Sequence, residues 1–168
     1  MPDRLFLRPF EQEDGESFYR NVMADCEAGL FGPDQPLQYA DAKKYIADRI
    51  PLYDRPHFYD FAVVRGSDGE VIGEVNAAYI SPDTADIGYV IGRPYRGQGN
   101  AKEAVQLLIT NLRNDGIRRI YGACMIDNAA SAAVMRACGL RETTDVPERV
   151  RARESGGVLR WYFLKTGT

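Results

Sequence analysis

Residues 87–104 read IGYVIGRPYRGQGNAKEA, and the way this stretch divides decides the fold. Residues 85–91 (ADIGYVI) have the composition of a strand, and the glycines that follow at 92, 97 and 99 make a turn. From Gly99 the apolar residues change period: Ala101, Ala104, Val105, Leu108 and Leu112 fall on one face of a helix that Gly116 stops. A strand that runs through a glycine-rich turn into a helix leaves several backbone N–H groups without intrahelical partners at the positive end of the helix dipole. Residues 97–101 are therefore a candidate anion site. Gly97 and Gly99 carry no side chain to obstruct a phosphate, and Arg96 and Lys102 add positive charge.

Upstream, residues 58–65 (FYDFAVVR) and 71–80 (VIGEVNAAYI) are two further strand-like runs. Ser67-Asp68-Gly69 and Ser81-Pro82-Asp83 separate the three runs with turn chemistry suited to antiparallel neighbours. Residues 4–10 (RLFLRPF) read as a strand with Leu5 and Leu7 on one face and Arg4, Phe6 and Arg8 on the other, ended by Pro9. Asp14 precedes an amphipathic stretch to about Ala28, with Phe18, Val22 and Met23 at helical spacing. Residues 29–39 (GLFGPDQPLQY) read as a loop. Asp41 is expected to cap a second helix with Tyr45, Ile46, Ile50 and Tyr53 on its apolar face.

Downstream, 119–125 (RIYGACM) is a strand and 128–137 a helix closed by Gly139. Residues 158–165 (VLRWYFLK) form a terminal strand after the turn Ser155-Gly156-Gly157. The three central strands lack crossover helices. The expected class is α+β, a mixed and mostly antiparallel sheet flanked by helices, rather than a doubly wound parallel sheet.

Composition limits what such a fold can do. With 168 residues, 45% hydrophobic and 27% charged, and no internal repeat or linker, residues 1–168 read as one compact domain. Lys plus Arg is 21 against 24 for Asp plus Glu, a net charge of −3 that disfavours nucleic acid and anionic membranes as partners. No stretch approaches the roughly 20 apolar residues of a membrane span, and the opening MPDRLFLRPF lacks the apolar run of a signal peptide. Cys26, Cys124 and Cys138 are an odd set without a CxxC, and His57 is the one histidine, so neither a disulfide framework nor a metal site is expected. These features fit a reducing cytoplasm.

The anion remains to be chosen. Gly92 and Gly97 have the spacing of a P-loop, but Gln98-Gly99 stands where Lys and Ser or Thr are required. A dinucleotide fingerprint starting at Gly97-Gln98-Gly99 meets Lys102 where its third small residue should be. Taken alone, the turn can also be read as an ordinary connection without a ligand.

Arg96-x-x-Gly99-x-Ala101 at the helix start, preceded by IGYVI, resembles the acyl-CoA pyrophosphate signature of the GNAT superfamily of N-acetyltransferases. Asn128-x-x-Ser131, with Gly139-Leu140 eleven residues after the Asn, resembles that family's N-x-x-S…G-F ending, Leu140 replacing the usual Phe. Residues 7–14 (LRPFEQED) are similar to the opening of the RimJ/RimL-like branch, which contains the ribosomal-protein N-terminal acetyltransferases. The resemblance implies an acyl-CoA N-acyltransferase fold in which the fourth and fifth strands splay apart and hold acetyl-CoA as co-substrate. It implies that backbone groups of Tyr89, Val90 and Ile91 pair with the pantetheine arm. Amides of Arg96, Gly97, Gln98, Gly99, Asn100 and Ala101 would take the pyrophosphate, Asn128 would contact the arm, and Ser131 would lie near the thioester sulfur.

The implied reaction is acetyl transfer to a primary amine, by direct attack in a ternary complex. Many relatives carry a Tyr acid seven residues after the Asn, where this chain has Met135, so Ser131 or an ordered water must serve if an acid is used. Asp86 and Glu74 are the candidate bases, each able to act through water, although a strand carboxylate is more often a solvent-facing or cross-strand paired residue. Asn128 reads also as a plain helix cap, and Cys124 and Cys138 as small core residues. Phe31, Tyr39, Tyr45 and Tyr53 suit an acceptor pocket or core packing. A peptide α-amine is the first acceptor expected and a polyamine or aminoglycoside the second, with the enzyme a monomer or homodimer. The rival readings are a non-catalytic acyl-CoA-binding regulatory module and a nucleotide-binding protein.

Overall fold

The computed structural model describes residues 4–33, 35–153 and 157–167. Its centre is a seven-stranded sheet, ordered β1-β2-β3-β4-β5-β7-β6. These strands are β1 (Leu5–Arg8), β2 (Tyr59–Arg65), β3 (Val71–Ser81), β4 (Thr84–Ile91), β5 (Arg119–Met125), β6 (Arg141–Thr143) and β7 (Leu159–Lys165). Every pairing is antiparallel except β4 with β5. That parallel pair follows from the crossover through helix α3 (Asn100–Asn114), since a parallel connection needs a dozen or more residues to return.

One face of the sheet carries α3 and α4 (Ala129–Ala137). The 3.6-residue spacing buries Ala104, Val105, Leu108 and Leu112 completely against Val75, Ile87 and Ile120, at roughly 1.5–3 kcal/mol for each large side chain. Gly116 and Gly139 end the two helices at φ +91° and +93°, the left-handed conformation that lets a helix stop. The other face is covered by α1 (Gly15–Phe18) and α2 (Tyr39–Arg49), over Ala62, Val64 and Val71. Farther along that face, α5 (Glu148–Arg151) places Val150 on Tyr121 and Trp161.

Several local readings change. The amphipathic stretch after Asp14 does not run to Ala28. After a short 3₁₀ turn (Gln12–Asp14) and α1, the chain widens into a π-turn over Tyr19–Met23, closed by the Ala24 N–H bonding the Tyr19 carbonyl at 2.8 Å. The wider turn lets Phe18, Val22 and Met23 all reach the core. Gln38, not Asp41, is the N-cap of α2; Asp41 accepts from the Gln38 N–H at 2.6 Å in a reciprocal box. Pro51 ends α2 at Arg49 and leaves Ile50 38% exposed, off the apolar face assigned to it. The polar helix α5 was not anticipated. Of the turn before β7, Ser155 and Gly156 lie outside the described residues. No described helix is long and apolar enough to cross a membrane.

Candidate active site

Strands β4 and β5 pair only from Thr84↔Arg119 to Ile87↔Gly122. Beyond that point β5 stays with β7 as far as Met125, and β4 stays with β3, so residues 88–91 have a strand on one side only. The Gly92 N–H bonds the Ile72 carbonyl at 2.9 Å, and Val90 sits opposite Glu74 in the same register. Antiparallel neighbours alternate in direction, so Gly92 and Val90 turn their amides toward β3 while Tyr89 and Ile91 turn theirs into the opening. Val90 therefore does not present its backbone to the cleft, a correction to the expected strand-like pairing. The Ile91 carbonyl is occupied as well, accepting from Arg96 Nε at 2.7 Å.

The turn that follows is held from beneath and bare on top. Gly97 and Gly99 lie at φ +73° and +81°, so left-handed backbone requires glycine here. A Cβ on Gly97 would meet nothing within 4 Å, and one on Gly99 only the Arg4 guanidinium at 3.8 Å. Below the turn, Asn100 donates to the Tyr95 carbonyl at 2.8 Å and accepts from Arg4 at 2.8 Å, so its buried side chain is a brace. Gln98 donates to the Pro94 carbonyl at 3.1 Å. The first intrahelical bond of α3 runs from the Glu103 N–H to Gly99, which leaves the amides of Asn100, Ala101 and Lys102 without an intrahelical acceptor.

The Arg96 guanidinium is spoken for. It pairs with Glu27 on the loop after the π-turn and holds that carboxyl down at about 2, chiefly through their hydrogen bond. Its charge thus ties that loop to the cleft rather than standing free over the turn. Lys102 stays exposed.

Across the opening, Asn128 caps α4, its Oδ1 accepting from the Ser131 N–H at 3.0 Å. The Ser131 hydroxyl is 2.8 Å from the Tyr89 hydroxyl. Burial pushes the Tyr89 phenol up from its ordinary value, and the Ser131 hydrogen bond opposes it. Two hydroxyls thus tie β4 to the first turn of α4 across the opening. The Tyr89 side chain had no role in the sequence reading, although strand alternation alone puts it with Ile87 and Ile91 on the α3/α4 face. Met135 is buried, its Sδ and Cε packed over Gly122, so it fills the core at the apex of the cleft.

The sequence matches the profile of the acetyltransferase (GNAT) domain over residues 4–141. The chain belongs to the GNAT acetyltransferase family. It is 26% identical to the uncharacterized N-acetyltransferase YnaD of Bacillus subtilis over 145 residues, 82% of this chain and 79% of that protein. It is 31% identical to the ribosomal-protein-serine acetyltransferase of Escherichia coli over 97 residues, 56% of this chain and 53% of that protein. A RimL ribosomal-protein α-N-acetyltransferase solved in complex with coenzyme A shares the fold, with a TM-score of 0.76 at 22% identity over 96% of this chain and 94% of that one.

In this GNAT acetyltransferase the two candidate bases lie on the sheet face opposite Ser131, and they do not meet. Asp86 is 5% exposed, on β4 between Ala78 and Tyr121 in the segment still paired with β5. Glu74 is 1% exposed and sealed in a cluster. The Tyr45 hydroxyl donates to its two oxygens at 2.8 and 2.7 Å, and Arg49 Nε lies 3.8 Å away while bonding Asp60 at 2.7 Å. Burial first, and Asp60 second, hold the Glu74 carboxyl well above the usual range. Neither Asp60 nor Arg49 was singled out in the sequence, since no spacing links residues 49, 60 and 74.

The aromatic group divides. Phe31 and Tyr45 pack on Phe18, whereas Tyr39 is exposed. Tyr53 bonds the Phe10 N–H and the Asp60 carbonyl, its hydroxyl pushed up to about 12 by burial. Phe31, Leu37, Met23 and Tyr45 floor a hollow of about 190 Å³ beneath the loop. His57 stacks on Tyr79 at 4.1 Å, far along the sheet. Cys124 is buried, and burial pushes Cys138 up to about 11.

Proposed function

We propose that this enzyme transfers the acetyl group of acetyl-CoA to a primary amine, and that the preferred acceptor is a peptide N-terminal α-amine. One observation carries the reading: an unpaired strand edge at Tyr89 and Ile91 leads directly into a turn whose amides are open and whose glycines a side chain would strain. The N–H and carbonyl of Tyr89 and the Ile91 N–H supply the hydrogen bonds an amide-bearing arm needs. The amides of residues 97–101, with the exposed Lys102, suit a diphosphate. Acetyl-CoA supplies an activated acetyl group on a thiol of ordinary acidity.

The chain's own groups then have separate tasks. An α-amine of pKa about 8 is partly neutral near pH 7, whereas a lysine amine near 10.4 gives up its proton at about 4–5 kcal/mol, which favours the α-amine in a site without a strong exposed base. Asp86 takes the amine's proton through water. Glu74, buried and covered by the Tyr45 hydroxyl, holds α2 to the sheet instead. The Ile91 N–H faces the place where an oxyanion develops, and the Ser131–Tyr89 hydroxyl pair delivers a proton to the departing sulfur. Three free cysteines suit a reducing compartment, the cytoplasm. The ribosomal-protein-serine acetyltransferase among the relatives supports the α-amine reading.

Thiol release from acetyl-CoA in the presence of an amine panel tests this, with turnover fastest on a free peptide N-terminus. A second reading, a CoA-binding module without turnover, draws on Met135 in the usual tyrosine position. Calorimetric binding of CoA with no thiol release for any amine would decide for it.

A further inference from the structure

We propose that Asn76 is the acceptor-binding residue of this enzyme, recognising an α-amino carbonyl group through both ends of its side-chain amide. The inference rests on the acetyltransferase reading above and names the part of the acceptor that is recognised. Asn76 lies on β3 directly opposite Gly88 on β4 and Asp60 on β2. Gly88 is the first residue of β4 past the last pair with β5, Ile87↔Gly122, so Asn76 stands at the mouth of the cleft. Alternation along the strands puts its side chain on the Glu74 and Asp86 face, across the sheet from Ser131 and Tyr89. An acceptor approaching from there meets the β4 edge from the side opposite α4.

Three features mark Asn76 as a ligand-facing group. The side chain is laid across Gly88: a Cβ there would come within 2.9 Å of Asn76 Oδ1. The residue is half-buried, and its amide makes no hydrogen bond to a described residue, unlike Asn21, Asn100 and Asn128. A carboxamide carries one acceptor and two donors, and withdrawing it from water without partners is unfavourable. Its neighbours on this face, Glu74, Asp60 and Arg49, are occupied with one another.

The chemistry of the amide selects the partner. Oδ1 accepts from the attacking amine, and Nδ2 donates to an oxygen close by in the same molecule. A peptide N-terminus, with its first carbonyl two bonds from the nitrogen, offers both. A simple alkylamine offers only the first.

Turnover of wild type, Asn76→Ala and Gly88→Ala is measured on alanyl-alanine amide and on propylamine, with calorimetric CoA affinity as the check on fold. Comparing the ratio of the two kcat/KM values between proteins removes the difference in amine basicity. The expected result is a fall of about thirtyfold for the peptide, mainly in KM, and of about threefold for propylamine in Asn76→Ala. Gly88→Ala, which displaces the amide without removing it, moves the ratio the same way. A wild-type ratio in both variants overturns the role of Asn76 while leaving the acetyltransferase reading intact. Absence of turnover by the wild type on every amine overturns that reading and this inference with it.

Discussion

Helices α3 and α4 both begin at the cleft, and their first turns are satisfied in opposite ways. At α4, the Asn128 side chain closes on the Ser131 N–H, so that donor of the helix start is satisfied within the protein. At α3, Gly99 provides no side-chain cap, and the Gln98 and Asn100 side chains are turned to the Pro94 and Tyr95 carbonyls. The contrast separates two uses of a helix terminus. A side-chain cap makes a rigid platform on which a hydroxyl is aimed, and a bare glycine terminus leaves its donors for something that arrives.

The largest effect should come from removing the support beneath the open terminus. A Cβ on Gly92 would run into the Asn21 carbonyl of the π-turn, backbone against backbone. Gly92→Ala should therefore cost about 3 kcal/mol, the upper range for overpacking. That corresponds to a Tm lowered by roughly 6–12 °C in a scanning calorimeter. An unchanged Tm would mean that the turn does not depend on this contact.

Next come the hydroxyl that α4 aims and its partner on β4. Ser131→Ala and Tyr89→Phe should each lower kcat about a hundredfold, the lower end of the range for acid–base assistance, with KM for acetyl-CoA little changed. A double variant no slower than either single one would show that the two hydroxyls act as one unit. If both single variants kept wild-type kcat, the hydroxyl pair would be only a strand-to-helix tie.

Loss of the closed cap itself should be smaller. Asn128→Ala is expected to cost about 1 kcal/mol, read as a fall of roughly 2–4 °C in Tm. A large fall in CoA affinity with no change in Tm would make Asn128 a ligand contact rather than a cap.

Smallest is the surface tie at the open end. The Glu27 carboxyl, held down at about 2 by Arg96, contributes stability above its unfolded value near 4.5 and loses it as pH falls through about 2. Glu27→Gln should abolish that part of the acid titration of stability and change neutral-pH stability by less than about 0.5 kcal/mol, since the pair is well exposed. An unchanged acid limb would show that the ion pair adds nothing.

Local chemistry was readable in the sequence and distant pairing was not. The start and end of α3, the meander and the splay position follow from period, turn residues and resemblance, because each signal lies within a few neighbouring residues. Arg96 was read as a free charge because its partner Glu27 lies on a different loop, brought close by the π-turn. Glu74 looked like an available base because burial by Tyr45 from α2 and crowding by Asp60 from β2 are products of packing. The Val90 correction arises from hydrogen-bond direction, which the register fixes and composition does not. The Tyr89 side chain could have been found, since alternation from Ile87 and Ile91 already assigns its face.

The central claim is that main-chain donors at the α3 terminus hold the diphosphate of coenzyme A. Calorimetric titration of wild type and Gly99→Val with coenzyme A and with pantetheine, which lacks the diphosphate, tests it most directly. A β-branched residue at φ +81° is strained and pulls the turn closed. The account predicts that wild type binds coenzyme A at least a hundredfold (about 2.7 kcal/mol) more tightly than pantetheine. It also predicts that Gly99→Val erases most of that advantage with pantetheine affinity unmoved. Equal affinities for the two ligands in wild type, or an advantage that survives in Gly99→Val, would contradict it.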